Sequence, residues 1–449
     1  MVKKFFTAKS IAVIGASHKP GKIGYTIFKN LVEKFKGKVF PVNVKTEPIL
    51  GRKVYPSVLS IKEKIDLAII CVPARFVPRV IDECGKKGIK RIVIISGGFS
   101  EIGKEGIELK NEILRLKEKY GLKIIGPNVI GIYSPFNGLD AIFFSDKDVK
   151  KPKEGNVSIL SQSGTVGVLL LDSLARENIG VSMFVSYGNA LDVNESDLIE
   201  NFASDKKTSV IAGFIESVRN GKKFLKVCKK VSKKKTIILL KGGKTKAGAK
   251  ATASHTASLA GDYTVYRGVF SQTGIIEAKT WEELLDFTKI FSFQKLPKGN
   301  RLAILTNGGG YGVLATDEAF LHGLTLPEPS NSLKKKLSSV LPPYASLKNP
   351  IDLTGDADPE RWKRSLKILS RSNEYDMFLL IFLMQTPMMD ERIIESIKVV
   401  KKPLAVCMTG SGTEKIKNEL EKNKIPVYPS PERAAKALSA LYKKFKNMK

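Results

Sequence analysis

Ile11-Ala12-Val13-Ile14-Gly15-Ala16-Ser17-His18-Lys19-Pro20-Gly21-Lys22-Ile23-Gly24 reads as a buried strand, a glycine-rich turn and the start of a helix. Glycines let the backbone approach a phosphate, and the helix start adds unpaired N–H donors with a partial positive charge. The turn is longer than a dinucleotide-binding fingerprint and has Lys19 and Lys22 inside it. Further apolar runs follow at Lys38–Val42, Leu67–Ile70, Arg91–Ile95 and Lys123–Ile125, with helical patterns between them. That alternation predicts a doubly wound, Rossmann-like layer with a parallel sheet. After the second strand stands Asn43-Val44-Lys45, where an acidic residue would bind the ribose of NAD. A basic residue there favours a phosphorylated ribose, as in NADP or coenzyme A.

Two later stretches repeat the plan of strand, glycine-rich turn and helix. One has strands at Val157–Leu160, Val181–Val185, Val210–Ile215 and Thr236–Leu240, after a Lys/Pro-rich segment from Asp146 to Pro152 that reads as a linker. The other has strands at Leu302–Thr306, Met377–Leu383 and Leu404–Met408 and closes on a helix over about Pro431–Phe445. With 449 residues, about three domains are expected, placed at 1–148, 149–296 and 297–449.

The chain is 43% hydrophobic and 27% charged, which suits a folded globular protein. Its apolar runs are too short to span a bilayer, and the basic N-terminus reaches Lys9-Ser10 before a signal-peptide core could form. A cytoplasmic protein is expected. Cys71, Cys84, Cys228 and Cys407 form no CxxC pair, which argues against structural zinc and a disulfide framework. The net charge of +31 is spread over Lys-rich helix faces. Aromatics do not interleave with those lysines, so solvated faces are the simpler reading and a nucleic-acid surface is not expected.

Ser161-Gln162-Ser163-Gly164-Thr165 joins an apolar strand to a helix, and its small hydroxyl residues suit a phosphoryl group as well as an ordinary N-cap. It lacks P-loop spacing. Ser96-Gly97-Gly98-Phe99 and Asn307-Gly308-Gly309-Gly310 also end apolar strands. Of 3 histidines, His18 lies in the first turn and His322 at a helix end, whereas His255 lies in a run of small polar residues from Lys241 to Asp262. No apolar stripe there would bury the ring. The run reads as a loop in which a neutral imidazole could act as a nucleophile near neutral pH. Such an imidazole needs an orienting carboxylate, and Glu216, after the strand Val210–Ile215, is the candidate.

Ser254-His255-Thr256 with Ser258-Leu259-Ala260-Gly261 resembles the phosphohistidine segment of ADP-forming acyl-CoA synthetases, relatives of succinyl-CoA synthetase. The resemblance covers nearly the whole chain. It takes in Gly15-Ala16-Ser17 with Pro20–Gly24, Pro41-Val42-Asn43 with Lys45, Cys71-Val72-Pro73-Ala74, Ser96–Phe99, Gly126-Pro127-Asn128, Ser161–Gly164, Ser186-Tyr187-Gly188-Asn189 and Asn349–Asp356. Val44 and Val129 depart from residues usual in the family.

The resemblance implies an N-terminal Rossmann-like CoA-binding domain followed by two flavodoxin-like domains. It makes His255 the phosphorylated residue, Glu216 its orienting carboxylate, and Ser161, Gln162, Ser163, Gly164 and Thr165 the phosphate cradle. Coenzyme A would be held by Gly15, Ala16, Ser17, Lys22, Lys45, Val72, Pro73, Ser96 and Gly97. The implied reaction converts acyl-CoA, phosphate and ADP to free acid, CoA and ATP through an acyl phosphate and phosphohistidine, with acetate the default acid. ADP or ATP with Mg2+ would sit mainly on an ATP-grasp β subunit, in an α2β2 heterotetramer, and no metal site is expected on this chain. A silent CoA-binding regulatory protein of the same fold is the alternative.

Overall fold

The computed structural model describes residues 2–256 and 261–448, and of residues 252–256 the backbone alone. The chain forms two compact units, Met1–Lys279 and Thr280–Lys449.

The first unit holds two sheets. The first sheet is parallel throughout, with β1 (Ser10–Ile14), β2 (Lys38–Val42), β3 (Leu67–Ile70), β4 (Arg91–Ile94) and β5 (Lys123–Ile125) in the order β2-β1-β3-β4-β5. A short helix α1 (Lys3–Phe6) precedes it, and α2 (Ile23–Lys34), α3 (Val77–Lys87) and α4 (Lys104–Tyr120) connect its strands. Every residue of β1 and β3 is buried. Their unbroken apolar runs are what a sheet covered on both faces requires.

The second sheet contains β6 (Ile132–Ser134), β7 (Leu139–Asp140), β8 (Glu154–Ser161), β9 (Val181–Ser186), β10 (Val210–Ile215), β11 (Thr236–Lys241) and β12 (Ile276–Ala278). The order is β12-β11-β10-β8-β9-β6-β7. Strands β8 to β12 pair in parallel, a flavodoxin-like layer, while β6 and β7 add an antiparallel edge. Its helices are α5 (Gly164–Arg176), α6 (Glu195–Ser204), α7 (Gly221–Val231), α8 (Lys246–Thr256) and α9 (Tyr263–Thr273).

The second unit has β13 (Leu302–Thr306), β14 (Ile351–Asp352), β15 (Met377–Leu383), β16 (Leu404–Thr409) and β17 (Val427–Tyr428), parallel in the order β14-β13-β15-β16-β17. Around it lie α10 (Trp281–Phe293), α11 (Gly309–Leu321), α12 (Asn331–Ser338), α13 (Pro359–Arg371), α14 (Ile393–Ile397), α15 (Glu414–Lys422) and α16 (Pro431–Met448). Helix α10 is tied within this unit by ion pairs from Asp286 to Arg433 at 2.7 Å and from Lys289 to Glu421 at 2.9 Å. The boundary between the two compact units therefore precedes α10.

Residues 132–140 supply β6 and β7 to the second sheet although they follow directly on the Rossmann strands. The segment read as a linker is also anchored. The Lys151 ammonium is 2.6 Å from Asp140, which is fully buried, and Lys34 of α2 reaches the same carboxylate at 2.8 Å. Another difference lies at 246–256, read as a loop but helical in α8. Ala247, Ala249, Ala251 and Ala253 explain it, since alanine has the highest helix propensity and needs no buried face to express it. No described helix is long and apolar enough to cross a membrane.

Candidate functional site

The C-terminal ends of the first sheet's strands bring together the residues expected to hold coenzyme A, at the edge where open α/β sheets bind ligands. Gly15 closes β1 with φ +87°, and a Cβ there would come within 3.0 Å of the Cys71 backbone after β3. Gly24 is constrained further, because its Cβ would lie 2.0 Å from the Gly15 carbonyl oxygen. Helix α2 thus packs its first turn directly onto the glycine turn. The Asn43 amide donates to the Ala16 carbonyl at 2.6 Å and its Oδ1 accepts from the Lys45 N–H at 3.0 Å, so the second strand's end fixes both the turn and Lys45. Ser96 donates its hydroxyl to the Val72 carbonyl. Lys22 and Lys45 remain exposed.

A cavity of about 450 Å³ runs from Ser96 and Gly97 of the first sheet to the turn Gln162–Thr165 that starts α5 on the second. Ser163 is the N-cap of α5, its Oγ accepting from the Val166 N–H at 3.4 Å. Four of the five residues expected in the cradle line this cavity. Ser161 does not: it is fully buried and donates its hydroxyl to the Ser163 carbonyl at 2.6 Å, shaping the turn from beneath. Backbone N–H groups at the helix start and the Ser163 and Thr165 hydroxyls can meet an anion there.

Gln162 joins this turn to Glu216. Its Oε1 accepts from the N–H groups of Glu216 at 2.8 Å and Ser217 at 3.0 Å, while its Nε2 donates to Ser217 Oγ at 3.1 Å. Glu216 is 6% exposed and stands at the end of β10. A Cβ on Gly242 would be 3.6 Å from Glu216 Cγ. The carboxylate therefore flanks the turn from which the His255 segment departs. The backbone of His255 belongs to the last turn of α8, and its side chain lies outside the described residues.

Several polar residues at this site carried no role in the sequence reading. Glu101 accepts from the Gly98 N–H at 2.7 Å and from the Asn189 amide at 2.6 Å, linking the Ser96 loop to the turn after β9. Burial alone would raise its pKa, but those donors together with its own N–H and that of Phe99 outweigh burial and hold the carboxyl below its usual range. Arg219 donates to the Asn189 carbonyl at 2.6 Å. Lys241, 1% exposed, lies 4.6 Å above the Tyr266 ring, and burial pushes its pKa down to about 8 against the opposing pull of Glu216. Tyr187-Gly188-Asn189 was legible as a motif, but which side chains it would meet depends on pairing between β6, β8 and β9.

The cysteines do not compete for the chemistry. Burial raises all four thiols, Cys71 and Cys407 to about 12 and Cys84 and Cys228 higher, so none is a thiolate near neutral pH. Among the described residues no group of three or more His, Cys, Asp and Glu is placed to hold a metal ion. In the second unit, Gly308-Gly309-Gly310 forms the N-terminal turn of α11, and Asn307 fixes it by accepting from the Leu383 N–H at 2.8 Å. A Cβ on Gly308 would lie 2.1 Å from a Leu383 methyl, so the glycine answers to packing there.

Comparison with known proteins agrees with this layout. Three family models match in succession: a CoA binding domain over residues 9–135, a succinyl-CoA ligase-like flavodoxin domain over 154–291, and a ligase-CoA domain over 302–448. The α subunit of acetate–CoA ligase (ADP-forming) II from Pyrococcus furiosus is 44% identical, the alignment covering 100% of this chain and 99% of that one. Acetate–CoA ligase (ADP-forming) from Methanocaldococcus jannaschii is 45% identical over 97% of this chain but only 62% of its own length. Among solved structures, an acetyl-coenzyme A synthetase from Ca. Korarchaeum cryptofilum in complex with phosphate and ADP superposes with a TM-score of 0.94. It is 38% identical, covering 100% of this chain and 97% of that one.

Proposed function

The chain belongs to the family of ADP-forming acetate–CoA ligase subunits, allied to succinyl-CoA ligases, and from that premise we propose that it performs the thioester and phosphohistidine steps of a reversible acid–CoA ligase. The observation that carries the proposal is the single cavity joining the Ser96–Gly97 loop to the N-terminal turn of α5, with Glu216 braced against that turn.

In this reading the glycine turn Gly15–Gly24, with Lys22 and Lys45, binds coenzyme A and directs its thioester along Val72, Pro73 and Ser96 into the cavity. Inorganic phosphate rests at the start of α5, where unpaired N–H groups and the hydroxyls of Ser163 and Thr165 spread its charge. A phosphate oxygen attacks the thioester carbonyl, the C–S bond breaks, and the thiolate takes a proton to leave as CoA. The resulting acyl phosphate gives its phosphoryl group to an imidazole nitrogen of His255, and the carboxylate departs. Glu216 orients the ring and stabilises its positive charge. Acetate, the acid in the relatives' names, is the starting assumption for the substrate.

Transfer from His255 to ADP needs a nucleotide site, which we assign to an ATP-grasp β subunit in an α2β2 assembly that draws on cytoplasmic CoA. Mg2+ would accompany the nucleotide on that partner. The test is reconstitution. Acetyl-CoA, phosphate and ADP should yield ATP and free CoA only when both chains are present, and His255→Ala should abolish ATP formation. CoA binding with no turnover in the complete mixture would instead identify a silent regulatory protein.

A further inference from the structure

The cavity has two chemically different kinds of lining. Its polar lining includes the anion cradle at Gln162–Thr165. Its apolar lining is Phe143 and Phe144, with Ile23 at the start of α2, Ile130, and Val168 one turn into α5. The two rings lie 4.8 Å apart between centroids, tilted by 31°. Neither is fully buried: Phe143 packs against the hydrophobic core on one side, and both rings line the cavity.

The backbone beneath the rings is held from several sides. Asn30, a polar residue on the buried face of α2 and 4% exposed, donates its amide to the carbonyls of Ile142 at 2.9 Å and Phe144 at 3.0 Å. The Phe143 N–H donates to the Ile130 carbonyl at 3.3 Å, and Lys151 donates to the Phe144 carbonyl at 2.9 Å. A buried amide spent on a loop carbonyl pair gives no catalytic group its position. What it fixes is the place of two rings. An acetyl group at the cradle leaves those rings against water, whereas a branched or aromatic acyl group covers them and removes apolar surface from solvent.

We propose that Phe143 and Phe144, fixed by Asn30, are specificity-determining residues that select acyl groups carrying an apolar body over acetyl. This rests on the acid–CoA ligase reading, and it adds the face of the cavity that meets the acyl chain. One methylene in an apolar pocket is worth about 10- to 200-fold in discrimination, so a phenyl or isopropyl group against this wall should be worth at least about tenfold.

The experiment is calorimetric titration of the chain with CoA, acetyl-CoA, isovaleryl-CoA and phenylacetyl-CoA, alongside acid-labile phosphate formed from each thioester and inorganic phosphate. The expected result is that one or both apolar thioesters bind at least about tenfold more tightly than acetyl-CoA, and that Phe144→Ala and Phe143→Ala each cut that ratio severalfold. Val168→Phe, which fills the cavity from α5, should also lower the ratio and guards against loss of fold in the alanine variants. Equal affinity for all the acyl groups, or variants that weaken every thioester alike, would overturn the proposal even where phosphate is incorporated. Selective binding without phosphate on the protein would uphold the wall and overturn the phosphohistidine reading instead.

Discussion

Replacing Gln162 by leucine tests the brace between the phosphate turn and Glu216. Leucine keeps the volume of a side chain that is 6% exposed, so little cavity is created. It removes the acceptor for the N–H groups of Glu216 and Ser217, bonded at 2.8 and 3.0 Å, and the donor to Ser217 Oγ at 3.1 Å. Both residues are buried. Leaving a buried donor unsatisfied costs about 1–3 kcal/mol, so two such donors should cost about 2–6 kcal/mol unless the strand end shifts to find water. Either response moves the Glu216 backbone. Hydrogen exchange of the Glu216 and Ser217 amides should accelerate by about two orders of magnitude, and thioester-dependent phosphorylation should fall with it. Gln162→Glu separates structure from charge. It keeps the acceptor, so the amides should stay protected, while its negative charge beside the cradle should still depress phosphorylation. Exchange and phosphate yield within about twofold of the parent in Gln162→Leu would refute the brace.

Gly24→Ala should abolish CoA binding, because a methyl 2.0 Å from the Gly15 carbonyl oxygen forces α2 off the glycine turn. The cost should be about 1–3 kcal/mol or more, read by CoA titration together with thermal melting. Lys241 predicts a pH dependence. Its folded-state pKa of about 8 lies below the ordinary lysine value of 10.5, so between those values the unfolded chain holds a proton that the folded chain has released. Stability contributed by this group therefore rises with pH across that window, and below it the buried charge is a net cost. Lys241→Met should gain stability relative to the parent at pH 7 and lose that advantage by pH 10, measured by denaturant midpoints at the two pH values. Comparison with the parent is needed because burial also lowers Lys444 to about 8.

Much of this was readable beforehand, for physical reasons. Strands covered on both faces leave unbroken apolar runs such as Ile11–Ile14, and turns that must approach an anion leave glycine and hydroxyl residues at strand ends. Long-range partnership leaves no such trace. Asn30 looks like an ordinary helical residue until its amide is seen to reach carbonyls more than a hundred positions away. The sequence shows Gln162 only as part of the turn, whereas its structural partners include two N–H groups at positions 216 and 217. The antiparallel edge β6–β7 was missed because two- and three-residue strands carry too little pattern to register as periodic. Helix α8 is alanine-rich and carries no apolar stripe, so its sequence reads as a loop.

The central claim is that a thioester and inorganic phosphate place a phosphoryl group on His255. The most direct measurement is a single-turnover experiment on this chain alone with acetyl-CoA, phenylacetyl-CoA and phosphate, read by intact mass and acid-labile phosphate for the parent, His255→Ala and Glu216→Gln. The expected result is acid-labile phosphate on the parent, none on His255→Ala and slowed formation on Glu216→Gln. No phosphate on the parent with either thioester, or the same amount on His255→Ala, would contradict it.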